Sequence, residues 1–319
     1  MLGIGCGTEP AAAPAGAVSE PVTIAEASGI TLKDGYLYIV DDSEGSGYFR
    51  IRVPDDPGPV IDLNAHNPER IELPYGPWID LESIGCLADG RLVVLSERLR
   101  GLVCDTGPVA EYDYPLTEFG RRGLEGMAIR PLPDGGSRVA VLWEGGYADR
   151  GSLHPQVVDR AGESALQPVL FVHDIAAGAS VGRVRWKNAV HAAVLDVPKP
   201  AGEEPEAQRF RAPALVWHRI PGAEPGEWGF IVVLSSQNGA GKLEFLHHWL
   251  QRFDVDGRPV GSPIHMEDIA PADMAHANWE GIAWWEEGQT LIMVHEGIGG
   301  DPPRALIFPL PEEWRYPAD

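Results

Sequence analysis

Glu280-Gly-Ile-Ala-Trp284, then the turn Glu286-Glu-Gly288, then Leu291-Ile-Met-Val-His-Glu296: this is the stretch on which the fold turns. Two short apolar runs joined by a Gly-containing turn form an antiparallel hairpin. The first run opens on a glutamate and the second ends on one. The same design recurs upstream. Glu26-Ala-Ser-Gly-Ile30, Glu82-Ser-Ile-Gly-Cys86 and Glu125-Gly-Met-Ala128 are answered by runs from Leu37 to Asp42, Leu92 to Glu97 and Val139 to Glu144. Lys33-Asp-Gly35, Ala88-Asp-Gly90 and Pro133-Asp-Gly-Gly136 lie between them as hairpin turns. A fifth copy, Pro213-Ala-Leu-Val-Trp217, has proline where the glutamate should stand. Its partner run, Ile231 to Ser236, ends in Ser235, Ser236 and Gln237.

Repetition at tens of residues with several strands per unit predicts an all-β fold, a single β-propeller in which each unit is one four-stranded blade. Further apolar runs supply third and fourth strands in most units: Tyr48 to Val53, Gly101 to Asp105, Val169 to Asp174, Lys242 to Asp254 and Ala305 to Leu310. Five blades are visible, and the interval from Gly145 to Ala212 has room for a sixth. Within it, Pro198 to Glu206 reads as an exposed loop. The last unit lacks a fourth strand, and Val18 to Ile24, near the start, is expected to close the ring. The propeller domain is thus assigned to residues 18–319, after a flexible Ala/Pro/Gly-rich segment over 1–17.

The 319 residues carry a formal charge of −22, which excludes nucleic acid and anionic membrane surfaces as partners and favours a cation. No stretch is long and apolar enough to span a bilayer. Met1-Leu-Gly-Ile-Gly-Cys6-Gly is similar to the end of a bacterial lipoprotein signal. That implies a lipid anchor at Cys6 and a periplasmic or extracellular location, with a cytoplasmic protein as the alternative. Cys86 and Cys104 fall on the first and third strands of one meander, about 10 Å apart at the ~4.8 Å strand spacing and beyond disulfide reach. A monomer is expected.

In an antiparallel pair, the start of one strand and the end of the next share a sheet edge. The repeated acids therefore meet on one face of the disc. Glu26, Glu82, Glu125 and Glu280 would line the channel, with Asp42, Glu97, Glu144 and Glu296 beside them. Carboxylates so crowded repel one another, and some would take up protons unless a cation intervened. Metal ligation is expected from Glu26, Asp42, Glu82, Glu125, Glu144 and Glu280. Hard oxygen donors favour calcium, with magnesium or manganese as alternatives. The competing reading is that each glutamate ties neighbouring blades together through backbone amides.

Asp80-Leu-Glu-Ser-Ile84 with Leu92-Val-Val-Leu-Ser-Glu97, Gly123-Leu-Glu-Gly126 and Asn278-Trp-Glu-Gly-Ile-Ala-Trp284 resemble the repeated motifs of the phytase-like or esterase-like bacterial β-propellers. The resemblance implies an exported, calcium-bearing propeller that hydrolyses phosphate esters. Propeller phytases add a basic phosphate pocket. Arg98, Arg100, Arg121, Arg122 and Lys242 are the candidates here for binding a small anionic ester. In the mechanism this implies, calcium polarises the substrate oxygen and Glu97 or Glu296 serves as general base. A lactonase or carboxylesterase of the paraoxonase or gluconolactonase type is the second enzymatic reading, and His295 is the histidine best placed for it. A non-catalytic, calcium-stiffened binding module is the third. His218, His247 and His248 read as packing or surface residues. Trp284 and Trp285 read as blade packing, and no nucleophile elbow surrounds a serine.

Overall fold

The computed structural model describes residues 22–43, 45–75, 79–113, 123–144, 167–185, 188–198, 208–220, 227–238, 245–297 and 301–316. The first sheet orders β1 (Ala27–Lys33), β2 (Tyr36–Asp41), β3 (Gly47–Arg52) and β5 (Glu69–Glu72). A short strand, β4 (Val60–Asp62), lies between β3 and β5 in sequence but belongs elsewhere. The second sheet contains β6 (Leu81–Cys86), β7 (Leu92–Ser96), β8 (Gly101–Cys104) and β9 (Gly107–Asp113). The third contains β10 (Leu124–Pro131), β11 (Ser137–Trp143), β12 (Val169–Ile175) and β14 (His191–Val194). Between its last two strands, β13 (Arg183–Arg185) runs parallel to β9 and widens the second sheet. The fourth contains β15 (Gln208–Arg219), β16 (Trp228–Asn238), β17 (Phe245–Asp254) and β18 (Pro259–His265). The fifth contains β19 (Trp279–Glu286), β20 (Thr290–His295) and β21 (Arg304–Pro309), completed by β4.

The five sheets are the blades of a propeller. Their first strands touch in the cyclic order β1, β6, β10, β15, β19 and back to β1. Five separate hydrophobic cores follow, one at each junction between neighbouring blades. A middle strand must feed two of them. On β11, Val139, Val141 and Trp143 face the second blade, whereas Ala140 and Leu142 face the fourth. Burial on both faces explains why these runs are continuously apolar instead of alternating.

Two expectations change in detail. The interval from 145 to 212 yields β12, β13 and β14, and among the described residues no sixth blade. The ring is closed from the N-terminal part of the chain, but by β4, whose Asp62, Ile61 and Val60 pair with Arg304, Ala305 and Leu306. Val22, Thr23 and Ile24 form no strand, and positions 18–21 lie outside the described residues. Ile24 is buried instead, and its amide and carbonyl bond the Asn64 side chain at 2.8 and 2.9 Å. The segment is used up packing over β4. The 1–17 segment with Cys6, and positions 199–206 of the proposed loop, lie outside the described residues. Cys86 and Cys104 are free thiols on β6 and β8, separated by β7 as expected.

Small residues set the width of the channel. A Cβ added to Gly29 would sit 2.7 Å from the Ser83 Cα, one on Gly126 would sit 3.2 Å from the Ala214 Cα, and one on Gly281 would sit 3.1 Å from the Gly29 Cα. Gly29, Ser83, Gly126, Ala214 and Gly281 thus form a waist where the inner strands nearly touch. In Glu125-Gly126 and Glu280-Gly281, the glycine is needed for the neighbouring strand, and the glutamate in front of it is carried to the mouth.

Candidate functional site

Each inner strand breaks register with its partner just before the waist. The residue left over is Ser28 in β1, Glu82 in β6, Glu125 in β10 and Glu280 in β19. In β15 the shift falls between Arg211 and Ala214. Pro213 takes the same place: its carbonyl meets Gly126 as the Glu82 carbonyl meets Gly29. Such a bulge re-aims side chains, and here it turns three glutamates into the channel mouth.

The register corrects the alignment of the first blade. Ser28, not Glu26, is the counterpart of Glu82, Glu125 and Glu280, and its hydroxyl donates to the Leu81 carbonyl at 2.8 Å, joining two blades. Glu26 stands two residues earlier, level with Asp80, Gly123, Arg211 and Asn278. Backbone bonds of 3.0 Å confirm the level: Asp42 N–H to Glu26 O, Glu97 N–H to Asp80 O, and Glu296 N–H to Asn278 O. Asp42, Glu97, Glu144 and Glu296 follow the second strands at the same edge, as expected.

Together these residues line a mouth of about 540 Å³: Glu26, Asp42, Asp80, Glu82, Glu97, Glu125, Glu144, Glu280 and Glu296, with Ser28, Asn278 and Arg211. The structure thus brings together all six expected metal ligands and two of the three expected catalytic residues. It adds Arg211, Asp80 and Asn278. Arg211 is legible only once the alignment is shifted, as the residue two before Pro213, level with Asp80 and Asn278.

Arg211 divides the mouth. Its Nε donates to Glu144 Oε2 at 2.5 Å, Nη2 to Glu280 Oε2 at 2.9 Å and Glu125 Oε2 at 3.3 Å, and Nη1 to Glu280 Oε1 and to Asn278 Oδ1. The Asn278 amide in turn donates to Glu280 and Glu296. One guanidinium serves three buried carboxylates. Burial holds the Glu280 carboxyl up at about 6, although Arg211 pulls it down. Glu125 is pushed well above the usual range by burial and by Glu144, with Arg211 opposing.

Among the described residues lining the other half there is no such cation. Asp80, in the left-handed region at φ +56°, shares carboxyl hydrogen bonds with Asp42 and Glu97. Burial and Asp80 raise Asp42 to about 7 and Glu97 to about 8. Glu97 leans into space left by Gly123, where a Cβ would collide with its carboxylate. Glu82 is 8% exposed and, among the described residues, accepts no hydrogen bond. Burial and Glu125 hold its pKa well above the usual range. One oxygen each from Asp42, Asp80 and Glu82 falls within 4.8 Å of the others, a spacing one cation could bridge.

The remaining candidates lie apart. His295 is buried against Trp279, its Nδ1 2.5 Å from the Glu296 carbonyl, and it does not line the mouth. Arg98 and Arg100 sit on the turn leaving β7, outside the lining. Arg121, Arg122 and Lys242 lie outside the described residues. His218 is fully buried beside Trp284 and Tyr316, and burial lowers it to about 3, as a packing residue requires. Ser235 and Ser236 face His248 and His247 across the sheet, but no hydrogen bond joins either pair among the described residues.

No family model matches the chain. No curated protein matches it either. Solved structures similar to it are β-propeller proteins. A virginiamycin B lyase from Staphylococcus aureus, solved with quinupristin, is 13% identical, with 91% of this chain and 97% of that one covered at a TM-score of 0.38. An endo-arabinase from Bacteroides thetaiotaomicron is 9% identical, covering 93% and 96% at 0.45. A GH43_1 enzyme from Xanthomonas citri, complexed with xylotriose, is 12% identical, covering 92% and 90% at 0.39.

Proposed function

We propose that the acidic mouth binds one divalent cation through Asp42, Asp80 and Glu82, and that the protein hydrolyses an ester presented there. The observation that carries this reading is Glu82, a buried carboxylate without a hydrogen-bond partner among the described residues, beside two further carboxylates at bridging distance. An unpaired buried charge costs several kcal/mol. A dication or a proton offsets that cost. The donors are oxygens, without cysteine or histidine, which suits the six to eight ligands of calcium better than the strict octahedron of magnesium.

When bound, the cation supplies a Lewis acid that polarises the ester oxygen. Glu97, adjacent to Asp80 and raised to about 8, would take the proton of an attacking water once a bound cation or a pH above 8 has removed its own proton. Arg211 is committed to Glu125, Glu144 and Glu280, so it positions those carboxylates and leaves no fork for substrate. Nine carboxylates and one arginine line the mouth, and a dication leaves it negative. A neutral carboxylic ester or lactone enters such a field at less cost than a phosphate dianion. A phosphate ester is the second reading, supported by Arg98 and Arg100 on the turn directly after Glu97. Calcium sites of this open kind suit the calcium-rich space outside the cytoplasm, so export is part of the proposal.

The test is calorimetric titration of chelator-treated protein with calcium and magnesium, beside the Glu82→Gln variant, followed by assays with δ-valerolactone, p-nitrophenyl acetate and p-nitrophenyl phosphate. Saturable calcium binding abolished by Glu82→Gln, with calcium-dependent turnover of the neutral esters, is the expected result. Binding without turnover leaves a calcium-stiffened recognition module. No binding ends the metal reading.

A further inference from the structure

At the opposite mouth of the channel the far ends of the inner strands enclose about 590 Å³, within the range of small-molecule sites. The chemistry there is the reverse of the acidic mouth. Ile84, Met127, Leu215 and Ile282 make an apolar wall, and Trp217, Trp228 and Trp284 add aromatic faces. Two guanidiniums stand among them. The Arg130 Cζ lies 4.7 Å from the Trp228 ring centroid and 5.0 Å from that of Trp217, and the Arg219 Cζ lies 5.0 Å from Trp228. Trp228 is thus within cation–π range of both guanidiniums.

Arg130 has unmet capacity. Arg50, Arg91, Arg138, Arg183, Arg211 and Arg304 all pair with carboxylates. Arg130 forms no ion pair among the described residues, and its Nε is buried without a hydrogen-bond partner. Glu287, the carboxylate on this rim, accepts from the Tyr316 hydroxyl at 3.5 Å. Burial and the nearby Arg138 and Arg219 press against the charged form of Arg130, with Asp174 opposing, a cost that a bound anion would offset further.

From this geometry we infer that the second mouth binds a small molecule with one carboxylate and an apolar or aromatic body, the carboxylate on Arg130 and Arg219 and the body against the tryptophans. A bare inorganic anion would leave the wall unused, and a neutral hydrophobe would leave Arg130 unmet. The site is independent of any cation at the acidic mouth, because the waist of small residues lies between them.

Phenylacetate is the probe, with 2-phenylacetamide as its neutral counterpart, read by tryptophan fluorescence and calorimetry. Saturable phenylacetate binding is expected, weaker by about tenfold or more for the amide and in Arg130→Met, as loss of one charge-assisted contact implies, and unchanged in Glu82→Gln. No saturable binding, equal binding of the amide, or undiminished binding in Arg130→Met overturns the inference. If Arg130→Met fails to fold, Arg130→Gln keeps a polar side chain but removes the charge. Undiminished phenylacetate affinity in that variant overturns the inference as well.

Discussion

Arg211 and Glu280 meet as a two-point fork, each Nη donating to a separate carboxylate oxygen, with Nη2 to Oε2 at 2.9 Å. The fork joins the fourth and fifth blades across the channel mouth. Through Nε and Nη2, the same guanidinium reaches Glu144 and Glu125 in the third. Three blades thus converge on one side chain. Arg211→Met, which keeps the stem and removes the charge, is expected to destabilise the fold by about 3–5 kcal/mol at pH 8, the scale of breaking a buried pair. Part of that loss should return at pH 5, where the orphaned carboxylates protonate. Urea unfolding at the two pH values measures both effects, and equal losses at both would count against the countercharge role.

Stability without metal should fall as pH rises. Asp42 and Glu97 have folded-state pKa values of about 7 and 8, above the ~3.9 and ~4.3 of an unfolded chain, so the folded protein binds the extra protons. Their contribution is full below pH 4 and is lost progressively up to pH 8. Chelator-treated protein is therefore expected to melt at a higher temperature at pH 5 than at pH 8. Added calcium should raise the melting temperature more at pH 8 than at pH 5, because protons and cation compete for the same oxygens.

Gly123 makes room for the Glu97 carboxylate. In Gly123→Ala the flexible end of Glu97 must swing away while the backbone stays. The expected outcome is a kcat/KM for the best ester substrate reduced by about tenfold or more, the usual scale for a displaced general base, with the melting temperature nearly unchanged. A large drop in melting temperature would show that the glycine serves the backbone instead.

Ring closure can be tested by two conservative truncations. Ile61, 2% exposed within the closing strand, should cost about 2–5 kcal/mol as Ile61→Ala. Val22→Ala, at a residue 40% exposed, should fall within about 0.5 kcal/mol of the parent. The reverse order would return the closing role to the N-terminal segment.

The five-unit propeller was legible in the sequence because buried middle strands must be apolar on both faces and Gly-containing turns set their spacing. The shared acidic edge was legible too, from antiparallel geometry alone. What the pattern hid was a one-residue bulge. In the first blade Ser28 occupies the bulged position, so Glu26 stands two positions out of step with Glu82 although both open a Ser-containing apolar run, and with that slip Arg211 lost its place beside Asp80 and Asn278. The closing strand was hidden for a different reason: Val60-Ile-Asp62 is three residues long, too short for any periodicity to show.

The position of that strand also bears on how the molecule comes to exist. Because β4 emerges early yet finds its partner only in the last blade, it must wait through the synthesis of nearly the whole chain before β21 arrives. Such a long-range pairing is entropically late, so the circle is sealed as a final event, after four blades have already stacked. The seal is also internal. Opening the circle there requires parting β4, a segment held between two strands of the first blade, from β21.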